Sequence, residues 1–184
     1  MDSDTKKTLW NIAGKAGLIL GLISTASMAI GQVMAALQVK AIATTVIGML
    51  LWIAETGGCI YFMYFFMKQF AAICPEVDNK ATFRMGMATA FLSALVYSAA
   101  SFANMAFISA DFYDAQYQLL MEQMAPMMDS NTMSVTERMM SRMPEITFIS
   151  NLIYCFLFGT VVSAVLSRNI PSRDPFADYK PDQQ

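Results

Sequence analysis

The chain has 184 residues, of which 56% are apolar and only 14% are charged, and its formal net charge is −2. An ordinary soluble domain carries about 25% charged residues. A core of this size cannot hide so much apolar surface behind so few charges. The composition therefore excludes a soluble globular domain, a disordered chain and a disulfide scaffold, and it indicates an integral membrane protein.

Several residue types and motifs are missing, and their absence excludes most familiar catalytic and binding sites. The sequence contains no His, which excludes Ser-His and Cys-His catalytic pairs, His-ligated zinc and His-ligated haem. Cys59, Cys74 and Cys155 are far apart and show no metal-ligand spacing. No glycine motif for phosphate or dinucleotide binding is present, and no basic patch serves nucleic acid. We therefore expect no enzyme activity, no cofactor, no bound metal and no nucleic-acid partner.

Four long apolar runs predict four membrane-spanning helices, over residues 14–37, 41–67, 85–108 and 146–167. At about 1.5 Å per residue, each run can cross the roughly 30 Å of a bilayer's hydrocarbon. The first run is too long for the apolar part of a signal peptide, so we expect it to be retained. Only three residues separate the first two runs, which predicts a tight helical hairpin.

Lysine and arginine are distributed unequally between the two sides that these spans define. The two ends of the chain and the second connection carry nine of the 12 Lys and Arg residues, and the other connections carry three. Because positive residues are retained on the cytoplasmic side, we expect both termini in the cytoplasm. The sequence thus predicts a multi-pass membrane protein, with the third connection outside the cytoplasm.

Small residues predict where the helices approach each other. Gly17 and Gly21 lie four residues apart in the first span, and the third span has a stripe of small residues at the same spacing. The stripe consists of Gly86, Ala90, Ala94 and Ser98. Small residues let membrane helices pack closely, so we expect these two faces to pack against each other. The alternative is that they reflect only an Ala- and Gly-rich membrane segment.

The third connection, residues 109–145, predicts an amphipathic helical insert rather than a plain loop. A capping-box pattern at residues 134–137 predicts the start of its second helix. Two interpretations stay open: a helical hairpin that lies on the outer leaflet, and a Met-lined groove for a partner protein. A third, thioether binding of Cu(I), is disfavoured without His or paired Cys. The candidate partner surface consists of Tyr117, Met121, Met124, Met128, Met139 and Met143.

Glu55 stands near the middle of the second span. A charge at that depth costs on the order of 2–3 kcal/mol or more and normally faces the interior of the protein. We expect it at the level of Ser24, Thr25 and Tyr97, largely neutral and hydrogen-bonded to hydroxyls or nearby backbone. A lone acid favours a helix–helix latch over a proton or cation site. A second polar set lies nearer the outer ends of the helices and consists of Gln32, Asn104 and Asn151.

The order of several stretches resembles a known family. These are GLILGLISTASMAIG, ATFRMGMATAFLSALVYSAASF, DFYDAQYQLLMEQM and FGTVVSAVLSR, within about residues 10–170. Their layout is similar to that of the domain of unknown function 4199 family, four-span inner-membrane proteins of bacteria. The resemblance implies a membrane fold but no established activity, cofactor or catalytic residue. It also implies a setting in envelope glycan or lipid-linked sugar assembly.

The combined prediction is an all-α fold: an integral membrane four-helix bundle with an amphipathic helical insert between helices 3 and 4. Residues 1–170 form one domain, and residues 171–184 form a disordered cytoplasmic tail. We expect a non-enzymatic accessory or scaffold subunit of an envelope complex. Its partners are the lipid bilayer and either another membrane protein or a second copy. The alternative is a small oligomeric transporter or channel that uses Glu55.

Overall fold

The computed structural model describes residues 3–36, 41–74, 78–124, 126 and 129–170, and the regular structure in that part of the chain is helical throughout. The all-α fold is therefore confirmed. Six α-helices follow one another: α1 (Ser3–Ala36), α2 (Ala41–Ile73), α3 (Asn79–Ala103), α4 (Ala110–Met124), α5 (Ser130–Met140) and α6 (Met143–Asn169). A π-helical turn, Asn104–Ile108, extends α3.

Four of these helices indicate a membrane protein. By length and composition, α1, α2, α6 and α3 with its π turn are each long and apolar enough to cross a membrane. Each overlaps one predicted span. The 34 residues of α1 and 33 of α2 extend about 50 Å, so both helices are longer than the hydrocarbon layer. The predicted tail, residues 171–184, lies outside the described residues.

Helix α3 is the centre of the arrangement and packs along both α1 and α6, whereas α2 packs mainly against α1. Gly17 and Gly21 of α1 lie beside Leu92 and Val96, which shows that α1 and α3 run in the same direction. Helix α6 runs the opposite way. We call the end where α1 begins and α6 ends the terminal end. The end that carries α4 and α5 is the insert end.

The buried apolar core lies at the terminal end. Its largest fully buried apolar side chains are Met67, Phe70 and Met85, and Leu9, Leu20 and Met63 surround them. The part of α2 nearer the insert end contributes little to this core, since residues 45–50 and 52–54 are exposed. Their apolar side chains suit contact with lipid, which is as apolar as they are.

The expected packing of the two small-residue faces against each other is wrong. Gly17 and Gly21 do contact α3, but at Leu92, Ser93 and Val96. The stripe on α3 turns instead toward α6. A Cβ at Gly86 would overlap the Ser163 side chain, and a Cβ at Gly159 would overlap Ala90. The physical reason is that α3 uses one face for α1 and a different face for α6. In the contact with α1 the glycines of α1 alone leave room, so the facing residues on α3 can be as large as Leu92 and Val96.

Aspartates begin two of the helices. Asp78 Oδ1 accepts a hydrogen bond of 2.9 Å from the Ala81 N–H at the start of α3. Asp129 Oδ1 accepts one of 2.8 Å from the Thr132 N–H at the start of α5. Both satisfy an amide that the helix itself leaves free. The capping box predicted at residues 134–137 is therefore wrong, because α5 already begins at Ser130.

Candidate functional site

A cavity of about 320 Å³ lies among the four long helices and has Glu55 in its wall. Its size is at the lower end of the range for small-molecule sites, about 300–1,000 Å³. Each long helix contributes at least one polar side chain. The polar wall residues are Ser24, Glu55, Thr56, Cys59, Ser93, Tyr97, Asn151, Tyr154 and Cys155. The cavity is therefore a polar site enclosed largely by apolar helices.

Helical spacing explains why α2 and α6 place so many side chains in this wall. Residues three or four apart share one face of a helix. On α2 this face carries Trp52, Glu55 and Cys59, and on α6 it carries Asn151 and Cys155. One polar face on each of two helices is thus turned toward the same space.

Neither Lys nor Arg from the described part of the chain lines the cavity, so Glu55 has no positive partner among those residues. The side chains of Cys59, Tyr97 and Cys155 line the same cavity as the Glu55 carboxyl. Ser24 and Cys59 line the same cavity. In the part of the chain that the structure describes, no hydrogen bond or ion pair involves the Glu55 carboxyl. The hydrogen bonds that we expected, and with them the latch contact, are not found there.

The cavity is closed toward one end and open toward the side. Met63 belongs both to the cavity wall and to the buried core at the terminal end, so the core forms the floor. The most exposed aromatic wall residues are Trp52 at 64% and Tyr154 at 70%. They lie on α2 and α6, which barely contact each other. The cavity therefore opens laterally between these two helices, and we call it the lateral cavity.

The structure brings together part of the polar cluster predicted around Glu55. Ser24, Tyr97 and Asn151 line the same cavity as Glu55. Thr25 does not, because its hydroxyl donates to the Gly21 carbonyl oxygen of its own helix at 2.8 Å.

Sequence reasoning missed two cysteines as members of this site. Cys59 and Cys155 both line the cavity, although neither was named among the candidate site residues. Each lies one helical turn from a residue that was singled out, Glu55 in the one case and Asn151 in the other. That spacing is the signal that could have found them.

Gln32 and Asn104, expected near the outer ends of the helices, lie at the insert end and away from the cavity. Gln32 Nε2 donates to Tyr113 Oη at 2.7 Å, and Asn104 Nδ2 donates to the same oxygen at 3.5 Å. Ser109 Oγ donates to Asn104 Oδ1 at 3.1 Å. These bonds tie α1 and the π turn to α4. Tyr113 was not foreseen as their common acceptor.

Asn151 joins α6 to α3. Its Nδ2 donates to Ser101 Oγ at 3.2 Å, while its side chain also lines the cavity. Amide side chains therefore form hydrogen bonds between helical segments, and their acceptors are hydroxyl groups.

A second concave site, of about 490 Å³, lies between α4 and α5. We call it the insert groove. Its wall combines methionines with carboxylates, and no Lys or Arg of the described residues belongs to it. The lining residues are Asp114, Tyr117, Gln118, Met121, Glu122, Met133, Glu137, Met140 and Ser141. Burial raises the pKa of the Tyr117 hydroxyl, and the nearby Tyr113 and Asp114 raise it further.

The insert groove contains only part of the predicted partner surface. Tyr117 and Met121 line it, whereas Met124, Met139 and Met143 do not. Met128 lies outside the described residues.

On α5 the groove-facing methionines are Met133 and Met140, seven residues apart and on one helical face. Met139 is 57% exposed and faces elsewhere. The sequence could not single out this face, because it depends on how α5 is oriented relative to α4 across the groove.

Metal-ligand geometry is not found in the described residues. No group of three or more His, Cys, Asp or Glu side chains there could hold a metal ion. The three cysteines are free thiols.

These features define a class of protein: an all-helical membrane protein with a lateral polar cavity and a separate groove at one end. The model of the family described as "Protein of unknown function (DUF4199)" matches residues 15–168. The chain belongs to this family, which confirms the resemblance drawn from the sequence. No curated protein matches the chain, and no solved structure matches it.

Proposed function

We propose that the protein is a non-enzymatic accessory subunit of a membrane complex and that it holds a partner protein in the insert groove. The observation that carries this proposal is the groove itself: about 490 Å³ in volume, lined by methionines and carboxylates, and placed at the insert end. Methionine side chains are flexible and polarisable, and they adapt to varied apolar surfaces. Such a wall suits recognition of a peptide segment.

Charge identifies the kind of segment that fits. Asp114, Glu122 and Glu137 line the groove without a basic residue beside them in its wall. Complementary charge favours and orients association between proteins. We therefore propose that the occupant is an amphipathic helix of the partner, with Lys or Arg flanking an apolar ridge.

The proposed setting is a bacterial inner membrane, with both termini in the cytoplasm and the insert groove outside it. Nine of the 12 Lys and Arg residues support this orientation. The family resemblance adds envelope glycan or lipid-linked sugar assembly as the process that the complex serves.

The absence of His from the sequence supports a non-enzymatic role, because it removes the commonest general base of nucleophilic catalysis.

Two adjacent methionines provide a matched test of the groove. Met140 lines the groove and Met139 does not. Full-length tagged protein is purified in mild detergent, and co-purifying proteins are quantified by mass spectrometry. We expect Met140→Glu to reduce the captured partner by at least about tenfold, or about 1.4 kcal/mol, because the new carboxylate would face the apolar ridge of the occupant without a hydrogen-bond partner. Met139→Glu should leave capture unchanged. Equal capture by both variants would overturn the proposal.

A charge reversal tests what the partner carries. Glu137→Lys is expected to reduce capture of the same partner, and a Lys- or Arg-to-Glu change in the partner's segment should restore it. Loss without any such rescue would contradict a basic occupant.

Fusions of a periplasm-active reporter test the orientation of the chain in the membrane. We expect reporter activity after Asp129 and none after Asp182, and the reverse pattern would overturn the proposed orientation.

The lateral cavity favours a second candidate function, a small oligomeric transporter or channel that uses Glu55. The polar wall and the unpaired carboxyl support it. Met67 and Phe70, both fully buried, stand between the cavity and the terminal end. One copy in this conformation therefore has no open path across, which ranks transport second. Flux into liposomes distinguishes the two functions: transport requires flux that Glu55→Gln and Glu55→Leu both abolish, and an accessory subunit alone gives none.

A further inference from the structure

The wall of the lateral cavity carries a negative charge without a positive one. Among the residues that the structure describes, Glu55 is the only acidic residue in its wall, and no basic residue is there to neutralise it. A carboxylate held among apolar helices gains most from a ligand that brings a positive charge, because interactions between charges are strong where water is scarce. The cavity thus favours a cation over an anion.

The aromatic side chains of the wall favour an organic cation over a metal ion. Trp52, Tyr97, Tyr154 and Phe158 all belong to the wall. Tyr154 and Phe158 stack with their ring centroids 6.5 Å apart. Aromatic faces attract organic cations, quaternary ammonium groups above all. An inorganic metal ion fits poorly, since no group of three metal-ligating carboxylates or thiols exists among the described residues.

The remaining wall and the opening determine the shape of the ligand. Leu20, Ile60, Met63 and Val162 give the cavity an apolar part. The opening between α2 and α6 faces sideways, where lipid surrounds a membrane protein. A ligand that enters there must partition into the bilayer first, and therefore has an apolar body beside its charge.

We propose that the lateral cavity binds a hydrophobic organic cation, an amine or quaternary ammonium compound with an apolar body. Its charged nitrogen lies between the Glu55 carboxylate and the aromatic rings, and its body lies against the apolar wall. This site is separate from the insert groove, so it extends the proposed function without depending on it. Two sources share the chemistry: a free hydrophobic amine and the ammonium headgroup of a lipid.

Binding is measured on the full chain in nanodiscs of phosphatidylglycerol, whose headgroup carries no ammonium. Trp52 in the cavity wall reports binding by its fluorescence, and Trp10→Phe removes the chain's other tryptophan. The probe is benzyltrimethylammonium, and its uncharged isostere is neopentylbenzene. We expect saturable binding of the cation and at least about tenfold weaker binding of the isostere. Equal binding of both would overturn the proposal.

Variants at Glu55 provide the second arm. Glu55→Gln should weaken binding of the cation at least about tenfold, whereas Glu55→Asp, which keeps the carboxylate, should retain part of the affinity. Glu145→Gln, at the exposed start of α6, is the matched control and should bind as the unmodified protein does. Circular dichroism and thermal unfolding of each variant verify its fold. A folded Glu55→Gln protein that keeps full affinity would refute the assignment.

A third arm identifies the source of the ligand. Phosphatidylethanolamine is added to the nanodiscs in increasing amounts while benzyltrimethylammonium is bound. Displacement of the probe by this lipid supports a lipid headgroup as the ligand, and retention of the probe supports a free amine. Equal capture by Met140→Glu and Met139→Glu, the result that would overturn the proposed function, would not change any of these outcomes, so the two proposals fail separately.

Discussion

The terminal end and the insert end of the four long helices are held together by different interactions. At the terminal end, apolar side chains such as Met67, Phe70 and Met85 are fully buried, and α3 and α6 approach closely at Gly86. At the insert end, α1 meets α4 through the hydrogen bonds of Tyr113. The lateral cavity lies between these two ends, and the insert groove lies between α4 and α5.

This difference indicates that the terminal end provides most of the stability, whereas surfaces for recognition lie away from it. Helices in lipid gain no hydrophobic free energy from meeting each other, so dispersion contacts between closely packed backbones stabilise the terminal end. The insert end is stabilised by a few hydrogen bonds instead of continuous packing, and the insert groove remains open there. The predictions below test whether the two ends respond in these two ways.

The largest expected effect is at the terminal end. Gly86→Leu places a side chain where even a Cβ would overlap Ser163 and touch the Met67 sulfur. We expect a loss of about 3 kcal/mol in the free energy of unfolding, since overpacking forces neighbouring elements apart. Reversible unfolding in detergent measures it. Gly57→Leu is the control, because no neighbouring atom lies within 4 Å of a Cβ there. Similar losses for both would contradict close packing.

Tyr113→Phe tests the insert end. It removes the hydroxyl that accepts hydrogen bonds from Gln32 and Asn104. We expect a loss of about 1–3 kcal/mol, because two part-buried amides lose an acceptor. The same unfolding measurement detects it, and hydrogen exchange should rise in α4 rather than at Gly86. Tyr61→Phe, on an exposed part of α2, should have no effect. An unchanged Tyr113→Phe protein would show that packing alone holds this end.

A smaller effect is expected from the cap of α5. Hydrogen bonds from Thr132 hold the pKa of the Asp129 carboxyl below its usual value. An aspartate with a lowered pKa stabilises the fold above its ordinary pKa of about 3.9, and this contribution is lost as pH falls through the lowered value. Carbon NMR of the labelled carboxyl should give a midpoint below that of an ordinary Asp. A midpoint at or above it would contradict the capping geometry.

Acidification should correspondingly loosen the first turn of α5, measured by amide exchange at Thr132. Asp129→Asn, which keeps a capping side chain, should remove this pH response without unfolding the helix.

The smallest effect is expected for Ser98. Its hydroxyl is fully buried and has no hydrogen-bond partner among the described residues. Ser98→Ala should leave the unfolding free energy unchanged or slightly raised, because the alanine removes a polar group that is buried without compensation. Ser163→Ala is the comparison, since the Ser163 hydroxyl donates to the Phe83 carbonyl oxygen at 3.1 Å. If Ser98→Ala is the more damaging change, the terminal end depends on polar contacts after all.

Composition and periodicity predicted the four long helices and the helical insert, because apolar runs and helical spacing are local properties of the chain. They also placed Glu55, Ser24 and Tyr97 at one depth, since depth follows from counting along each helix. They did not predict Tyr113 as the acceptor for Gln32 and Asn104. That contact depends on how the insert folds back over the helix ends, a long-range property that no local pattern records.

The sequence by itself determined the class of this protein, an all-α membrane protein of its family, because hydropathy and helix length suffice to recognise spans. Tertiary structure alone decided which faces meet. The stripe that begins at Gly86 packs against α6 rather than α1, and Met140 rather than Met139 enters the insert groove. The reason is rotational: a helix presents a different face every residue, and only its neighbours decide which face is buried.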